Sequence, residues 1–469
     1  MTTPPVGAPG GVPDLLDTLA LQVRYIPPAS LSAFGRRSRT HTKDQVRRIA
    51  ESIRAFGFTV PVLVDEDHKV IAGNARVEAA IQLDIAAVPV VALSHLTPAQ
   101  KRAFVIAENQ LATLSGWDRD VLRIEFEELG ALDLDFSLEV TGFLEPQIDA
   151  IVLGDPGTDS NSDQLAPLPA MPTSRLGDLW ELGDHRLLCA DSTCPNSLCT
   201  LLDGEKARAV FTDAPYNVRI AGHVTGTGLH GEFVMASGEM SEDEFTRFLA
   251  RSLTQISAYL VPGGIAYFCM DWRHAGNVFV ALKAVDIETI NLVVWDKGTG
   301  GMGSFYRSRH ELIFVLRKAG APHLNRIELG RHGRDRHNVW SYRGVNGFGT
   351  DKAREREMHP TVKPLALVRD AILDCTARGD LVLDLFSGSG TTIVAAHDSG
   401  RRGAAIELDP RYVDTGLIRW QDYAGKEARL AATGQTFREV RAERAADAAV
   451  GKAPAAGLPP ARQRKRRTV

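Results

Sequence analysis

The chain has 469 residues, 44% hydrophobic and 24% charged, with a formal net charge of −4. That length accommodates two or more domains, and the near-neutral balance excludes an overall basic coat, so any contact with a polyanion must come from local charge. No stretch reads as a membrane span. The run Met1 to Val12 lacks the charged-then-apolar pattern of a leader, and the five cysteines form no Cys-x-x-Cys pair, so a cytoplasmic protein without zinc or disulfides is expected.

Residues 1–18, rich in Pro and Gly, are expected to be disordered. A first domain is expected over 19–115. Val46, Ile49 and Ile53 recur at helical spacing with charges between them, and Gly57 ends that helix. Val60–Asp65 and Lys69–Ala72 read as strands joined by Glu66-Asp67-His68; Gly73-Asn74-Ala75-Arg76 opens a helix, and Val88–Ala92 is a further strand. From 116 to 153 the pattern turns helical and acidic, the mark of a connector. A linker follows over 154–174, carrying Pro167, Pro169 and Pro172.

The second domain, expected over 175–423, opens with a hairpin around Gly183-Asp184 that ends at Asp191; this acid also suits the cap of a following helix. Ala207–Phe211 reads as a buried strand that Pro215 stops, leaving Thr212-Asp213-Ala214-Pro215-Tyr216 at its carboxyl end, where open α/β folds place ligands. Asp213 and the Ala214 carbonyl can each accept an N–H of one amino group, and Tyr216 can stack on a flat ring; a simple strand-ending turn has the same spelling. Ile220 to Ser237, without a clear period, is expected to be a mobile loop over the site, and Ser241-Glu242-Asp243-Glu244 starts a helix. Between Arg317 and Glu357 ten Lys and Arg face five Asp and Glu, interleaved with Trp340, Tyr342 and Phe348, a composition that fits nucleic acid as well as a solvated loop.

Leu381–Leu385 is another apolar strand, followed by Phe386-Ser387-Gly388-Ser389-Gly390-Thr391-Thr392 and a helix. Gly388 and Gly390 let backbone approach a ligand, and a helix N-terminus favours a carboxylate or phosphate. Gly403–Ile406 is a short strand ending in Glu407, placed to accept from a ribose diol. The absence of Lys from the loop argues against a nucleoside-triphosphate loop. After Trp420 the pattern thins, and 424–469 is expected to be a largely disordered basic tail ending in Arg462-Gln463-Arg464-Lys465-Arg466-Arg467.

Asp213-Ala214-Pro215-Tyr216 with Phe386-x-Gly388-x-Gly390 resembles the amino-methylating DNA methyltransferases, in the permuted order where the catalytic motif precedes the cofactor motif. The likeness extends to Gly263–Phe268, Ser304–Phe314 and His359-Pro360-Thr361-Val362-Lys363-Pro364. It implies an α/β, Rossmann-like S-adenosyl-L-methionine-dependent methyltransferase sheet. Catalysis then falls to Asp213, Ala214, Pro215 and Tyr216, and the cofactor to Phe386, Gly388, Ser389, Gly390, Thr391, Glu407, Asp191 and Asp384. The family's usual Pro is Ala214 here; a carbonyl acceptor survives that exchange, with a looser φ. The resemblance further implies a specific site in double-stranded DNA, a restriction–modification context and the N6 amine of adenine, with cytosine N4 as alternative. A homodimer is compatible with it, and the target-recognition segment falls near 317–357.

Residues 20 to 115 resemble the N-terminal domain of ParB-type partition proteins, an α+β domain that binds CTP with Mg2+. The resemblance places the nucleotide at Gly73, Arg76, Glu108 and Asn109; a structural helix start with a paired Arg is the other reading of the same residues. A competing function of another class is therefore a nucleotide-switched DNA clamp whose methyltransferase half only binds.

Overall fold

The computed structural model describes residues 21–35, 40–132, 134–154, 168–218, 238–298, 305–330, 335–343 and 362–449. The expectations for residues 1–18, for the loop 220–237 and for the basic cluster 462–467 fall outside them. The chain divides into two compact units, Met1–Val152 and Leu153–Val469. No described helix is long and apolar enough to cross a membrane.

In the first unit β1 (Val23–Ile26), β2 (Ser32–Ala33), β3 (Val62–Val64), β4 (Lys69–Ala72) and β5 (Val88–Ala92) form one mixed sheet in the order β1-β5-β3-β4-β2. Val62, Val64, Val70, Val88 and Val90 make its core, joined by Val77 and Ala80 of helix Asn74–Gln82. Helix Lys43–Phe56 is capped by Thr42, whose hydroxyl accepts from the Gln45 amide, and Gly57 at φ 78° ends it. The acidic stretch folds as helices Arg119–Gly130 and Glu145–Val152.

The second unit holds a ten-stranded sheet built from β6 (Leu179–Leu182), β7 (His185–Cys189), β8 (Ala207–Asp213), β9 (Leu260–Met270), β10 (Ile287–Asp296), β11 (His310–Lys318), β12 (Val339–Ser341), β13 (Leu381–Asp384), β14 (Arg402–Glu407) and β15 (Arg429–Leu430). Their order is β12-β10-β11-β9-β8-β13-β14-β7-β6-β15. The five strands β9, β8, β13, β14 and β7 run parallel. Helices cover both faces, as a parallel core requires. Ala209 and Phe211 of β8 join one core cluster, with helices Leu365–Cys375 and Pro410–Ala424, whereas Val210 faces the other, with helices Pro195–Leu202 and Glu242–Tyr259. The alternation is the period-two signature of a strand. From β13 the sheet grows toward β14 in one direction and toward β8 and β9 in the other, a topological switch point at which α/β sheets bind ligands.

Two expectations are corrected. The chain after 423 is not a disordered tail up to 449: β15 pairs with β6, and Phe437 and Val440 of helix Phe437–Ala449 pack into the core, the Phe437 ring meeting Trp180 at 5.5 Å. Leu430, Phe437 and Val440 are apolar side chains too sparse in sequence to announce the edge they cover. In the cationic, aromatic segment, Arg336, Trp340 and Tyr342 are likewise not surface groups presented to DNA, whereas His337 and Arg343 are exposed. β12 adds to the sheet edge, Trp340 and Tyr342 are buried, and the Arg336 guanidinium, 4.4 Å above the Trp340 ring, lies 3.0 Å from Asp374 and 3.7 Å from Asp370. Arg317 pairs with Glu288 and Lys318 with Asp286. A buried cation needs such partners, so the Arg336 charge is neutralised inside the fold, whereas the Arg317 and Lys318 pairs lie at the surface. Residues 331–334 and 344–361 of the segment lie outside the described chain.

Candidate active site

The carboxyl ends of β7, β8, β13 and β14 meet at one edge of the sheet and open into a single cavity. Asp191, Asp213, Ala214, Pro215, Tyr216, Asp384, Phe386, Gly388, Ser389, Thr391 and Glu407 all line it. Strands that share a direction bring residues nearly 200 positions apart onto one rim. Asp384 fastens the two halves together. Its carboxylate, 3% exposed, accepts from the Thr212 hydroxyl on β8 at 2.9 Å, from the Phe386 amide at 3.0 Å and from the Thr392 hydroxyl at 2.6 Å. Burial lifts its pKa to about 6, the three hydrogen bonds opposing.

The glycine loop is shaped from below. Glu407 accepts from the Gly388 amide and from the Asp409 amide, each at 2.8 Å, and its pKa is pushed up to about 7 by burial, against the pull of those N–H groups. Gly390 sits between Ser389 and Thr391, which line the cavity; at φ 79° it caps helix Thr391–Asp398, and a Cβ there would come within 3.0 Å of the Gly416 Cα. Its glycine serves close packing between two helices. Phe386 packs its ring 5.8 Å from that of Phe248 and borders the cavity, and Asp191 holds its own turn by accepting from the Thr193 amide and hydroxyl.

At the acceptor end, Asp213 is more enclosed than a free carboxylate. The Tyr216 hydroxyl donates to its Oδ1 at 2.6 Å, and the Lys363 ammonium donates to its Oδ2 at 2.5 Å. Glu311 completes the group, with Oε2 at 2.9 Å from Lys363 Nζ and 3.1 Å from the Tyr216 oxygen, while Lys297 donates to its other oxygen. Antiparallel pairing explains why these residues arrive. β11 runs against β9, so it begins at the rim where β9 ends, and β10 returns to that rim with Lys297 just beyond its last residue. Burial raises the Asp213 pKa above its ordinary value, with Lys363 drawing it down and Glu311 pushing it further up. Glu311 is buried too, yet Lys363 and Lys297 hold it at about 2. After Tyr216 the chain turns at Asn217, φ 54°, whose side chain accepts from the Gly238 and Met240 amides and donates to the Met240 carbonyl at 2.8 Å.

Lys363 and Glu311 lie inside stretches that carry the resemblance, and the sequence reading assigns a role to neither. A lone acid near the start of an apolar strand, as Glu311 is in His310-Glu311-Leu312-Ile313-Phe314, is the available signal. Lys297 and Asn217 carried none. In the first unit, Gly73, Arg76, Glu108 and Asn109 come together around a second cavity, with Phe34, His41 and Gln45. Gly73, at φ 104°, caps helix Asn74–Gln82; Asn109 donates to the Val105 carbonyl at 2.7 Å.

Three stretches of the chain match known protein families. Residues 17–110 match the ParB N-terminal domain, 120–176 the ParB-methyltransferase HTH domain and 207–418 a DNA methylase domain of the N6/N4 type. The acidic helical stretch read as a connector therefore falls within an HTH match. The ParB-like nuclease domain-containing protein YnaK of Escherichia coli K12 is 46% identical over 82 residues, 18% of this chain and 94% of that one. Type II methyltransferase M.HpaI of Haemophilus parainfluenzae is 26% identical over 247 residues, 49% of this chain and 72% of the relative. DNA adenine methyltransferase YhdJ of Escherichia coli K12 is 28% identical over 244 residues, covering 46% and 77%. By these matches the chain joins a ParB-like N-terminal domain to a DNA methylase domain of the N6/N4 type.

Proposed function

We propose that the second unit transfers a methyl group from S-adenosyl-L-methionine to the exocyclic N6 amine of an adenine flipped out of double-stranded DNA. The observation that carries this is the single cavity between Asp213 and the Gly388 loop, bolted together by Asp384 and Thr212. The residues present fit the cofactor. Glu407 and Asp191 offer carboxylates to a ribose diol and to cationic groups, Phe386 offers a ring edge to adenine, and Gly388, Ser389 and Thr391 offer a helix start to a carboxylate. When bound, S-adenosyl-L-methionine supplies an electrophilic methyl group on a sulfonium.

The protein's own part is to ready the amine. Its lone pair is delocalised into the ring, so the amine is a poor nucleophile. Asp213 and the Ala214 carbonyl, each accepting one N–H, favour a pyramidal nitrogen whose pair points at the donor, and transfer then needs no covalent intermediate. Pro215 fixes the chain between these acceptors and Tyr216, whose ring replaces stacking lost on flipping, worth on the order of 1–3 kcal/mol. An Asp at the head of the motif and the adenine methyltransferase among the relatives support adenine over cytosine N4. Mass spectrometry of digested, methylated DNA tests this: N6-methyladenine is expected, and N4-methylcytosine alone would reassign the base.

For the first unit we propose CTP with Mg2+ as the ligand of the cavity around Gly73 and Arg76. The αL glycine opening a helix, with a guanidinium and the acid Glu108 nearby, supports a phosphate and its metal. Isothermal titration with CTP and Mg2+ is the test; no heat at millimolar nucleotide would defeat it.

A further inference from the structure

We propose that Lys363 is a positioning residue for the acceptor carboxylate: clamped between Asp213 and Glu311, its ammonium sets the orientation of Asp213 and keeps it able to take an N–H from the incoming base. The inference rests on the methyl-transfer reading of the site. Lys363 is 5% exposed, donates to Asp213 Oδ2 at 2.5 Å, lies 2.9 Å from Glu311 Oε2, and hangs 5.7 Å and 5.5 Å from the centroids of the Tyr216 and Trp295 rings. Few surroundings fix an ammonium so completely, since two anions and two aromatic faces each favour the same spot.

The arrangement answers a problem the catalytic loop creates. Asp213 and Glu311 approach the same Tyr216 hydroxyl, at 2.6 Å and 3.1 Å, inside a buried pocket. Two carboxylates so close do not both stay charged without a cation, and a protonated Asp213 would present a donor where the amine needs an acceptor. Other charged or titratable groups do not replace Lys363. Lys297 is bonded to the far oxygen of Glu311; Asp384 on β13 adds a further negative charge near Asp213, and the Cys269 thiol on β9 is pushed well up by burial and stays neutral. Among the described residues, Lys363 is the only cation paired with Asp213. The Lys363 pKa itself is raised: burial works against the ammonium, but Asp213 and Glu311 more than compensate. Because Pro364 caps helix Leu365–Cys375, the lysine is fastened to a buried helix start.

The test compares the full chain with Lys363→Met, Lys363→Arg and the double variant Lys363→Met/Glu311→Gln. In Lys363→Met the acid limb of the kcat profile should move up past neutrality, with transfer at neutral pH reduced tenfold or more and recovered at alkaline pH. Lys363→Arg should keep the original limb, and Glu311→Gln in the methionine background should bring it back toward wild type. A second readout needs no turnover: Lys363→Met at neutral pH should show the infrared carbonyl band of a protonated carboxylic acid, absent in wild type and removed by Asp213→Asn. A methionine variant that binds S-adenosyl-L-methionine normally, yet shows no such band and an unmoved limb, would overturn the proposal. The band appearing in a protein whose wild type transfers no methyl group would sustain the charge clamp and sink the methyl-transfer reading instead.

Discussion

Asp384 makes the sharpest test of how the two halves of the site are joined, because its burial leaves a signature in pH. It is raised from its ordinary 3.8 to about 6 by burial, so the folded state holds its proton more tightly than the unfolded one. Its contribution to stability is therefore full below about 3.8 and lost as pH rises through about 6. Linkage with these two values gives a loss of about 1.4 kcal/mol between pH 5 and pH 8. Asp384→Asn abolishes that titration while leaving an amide oxygen for Thr212 and Phe386, and its NH2 can donate to a reoriented Thr392 hydroxyl. For a unit of about 300 residues, with an unfolding entropy of about 2 cal/mol/K per residue, the Tm of the variant relative to wild type should climb by about 2 °C from pH 5 to pH 8. Asp384→Ala, which strands all three donors, should instead lie about 5 °C or more below wild type at both pH values, from a loss of about 3 kcal/mol. Calorimetry of the full chain, reading the transition of the larger unit, measures both, and titrations remote from Asp384 cancel in the difference. A difference between Asp384→Asn and wild type that is flat with pH would refute the buried-acid account.

Other expectations concern the same rim. Asp213→Ala should cut tritium transfer from labelled cofactor to DNA by about 100-fold or more while cofactor affinity stays within about twofold; substantial turnover would remove Asp213 from the chemistry. Glu407, pushed up to about 7 by burial, accepts from a ribose diol best as a carboxylate, so affinity for S-adenosyl-L-methionine should rise as pH climbs through about 7, with proton release on binding. Calorimetric titration in buffers of different ionisation enthalpy reads both effects, and a pH-independent Kd would contradict them. Gly390→Ala, at φ 79° and 3.0 Å from Gly416, should destabilise by about 2–3 kcal/mol; Gly388→Ala, at φ 51° with nothing within 4 Å, should cost only about 1 kcal/mol. Equal losses in thermal melts would mean that strain, not helix contact, decides both positions.

The linear chain already fixed much of the protein. Alternating and continuous apolar runs marked β8 and β13, Pro215 marked where β8 stops, and the glycine loop before Thr391 marked a helix start, because these signals act over a few neighbouring residues. Local signals also located Asp213, Glu407 and Asp191 at strand ends, and a parallel sheet must gather such ends on one rim. Long-range strand and helix placement, by contrast, sets which distant charges share that rim. The pairing of β11 against β9 and of β10 against β11 delivers Glu311 and Lys297, and the start of helix Leu365–Cys375 delivers Lys363, none of it encoded by local spacing. The same holds for the misjudged stretches. Arg336, Trp340 and Tyr342 read as an open basic surface and Phe437 as tail, since burial depends on partners such as Asp370, Asp374 and Trp180 that lie tens or hundreds of residues away. Periodicity records how a segment faces a core, whereas the neutralisation of a charge or the covering of a sheet edge is settled by contacts that exist only once the chain has folded.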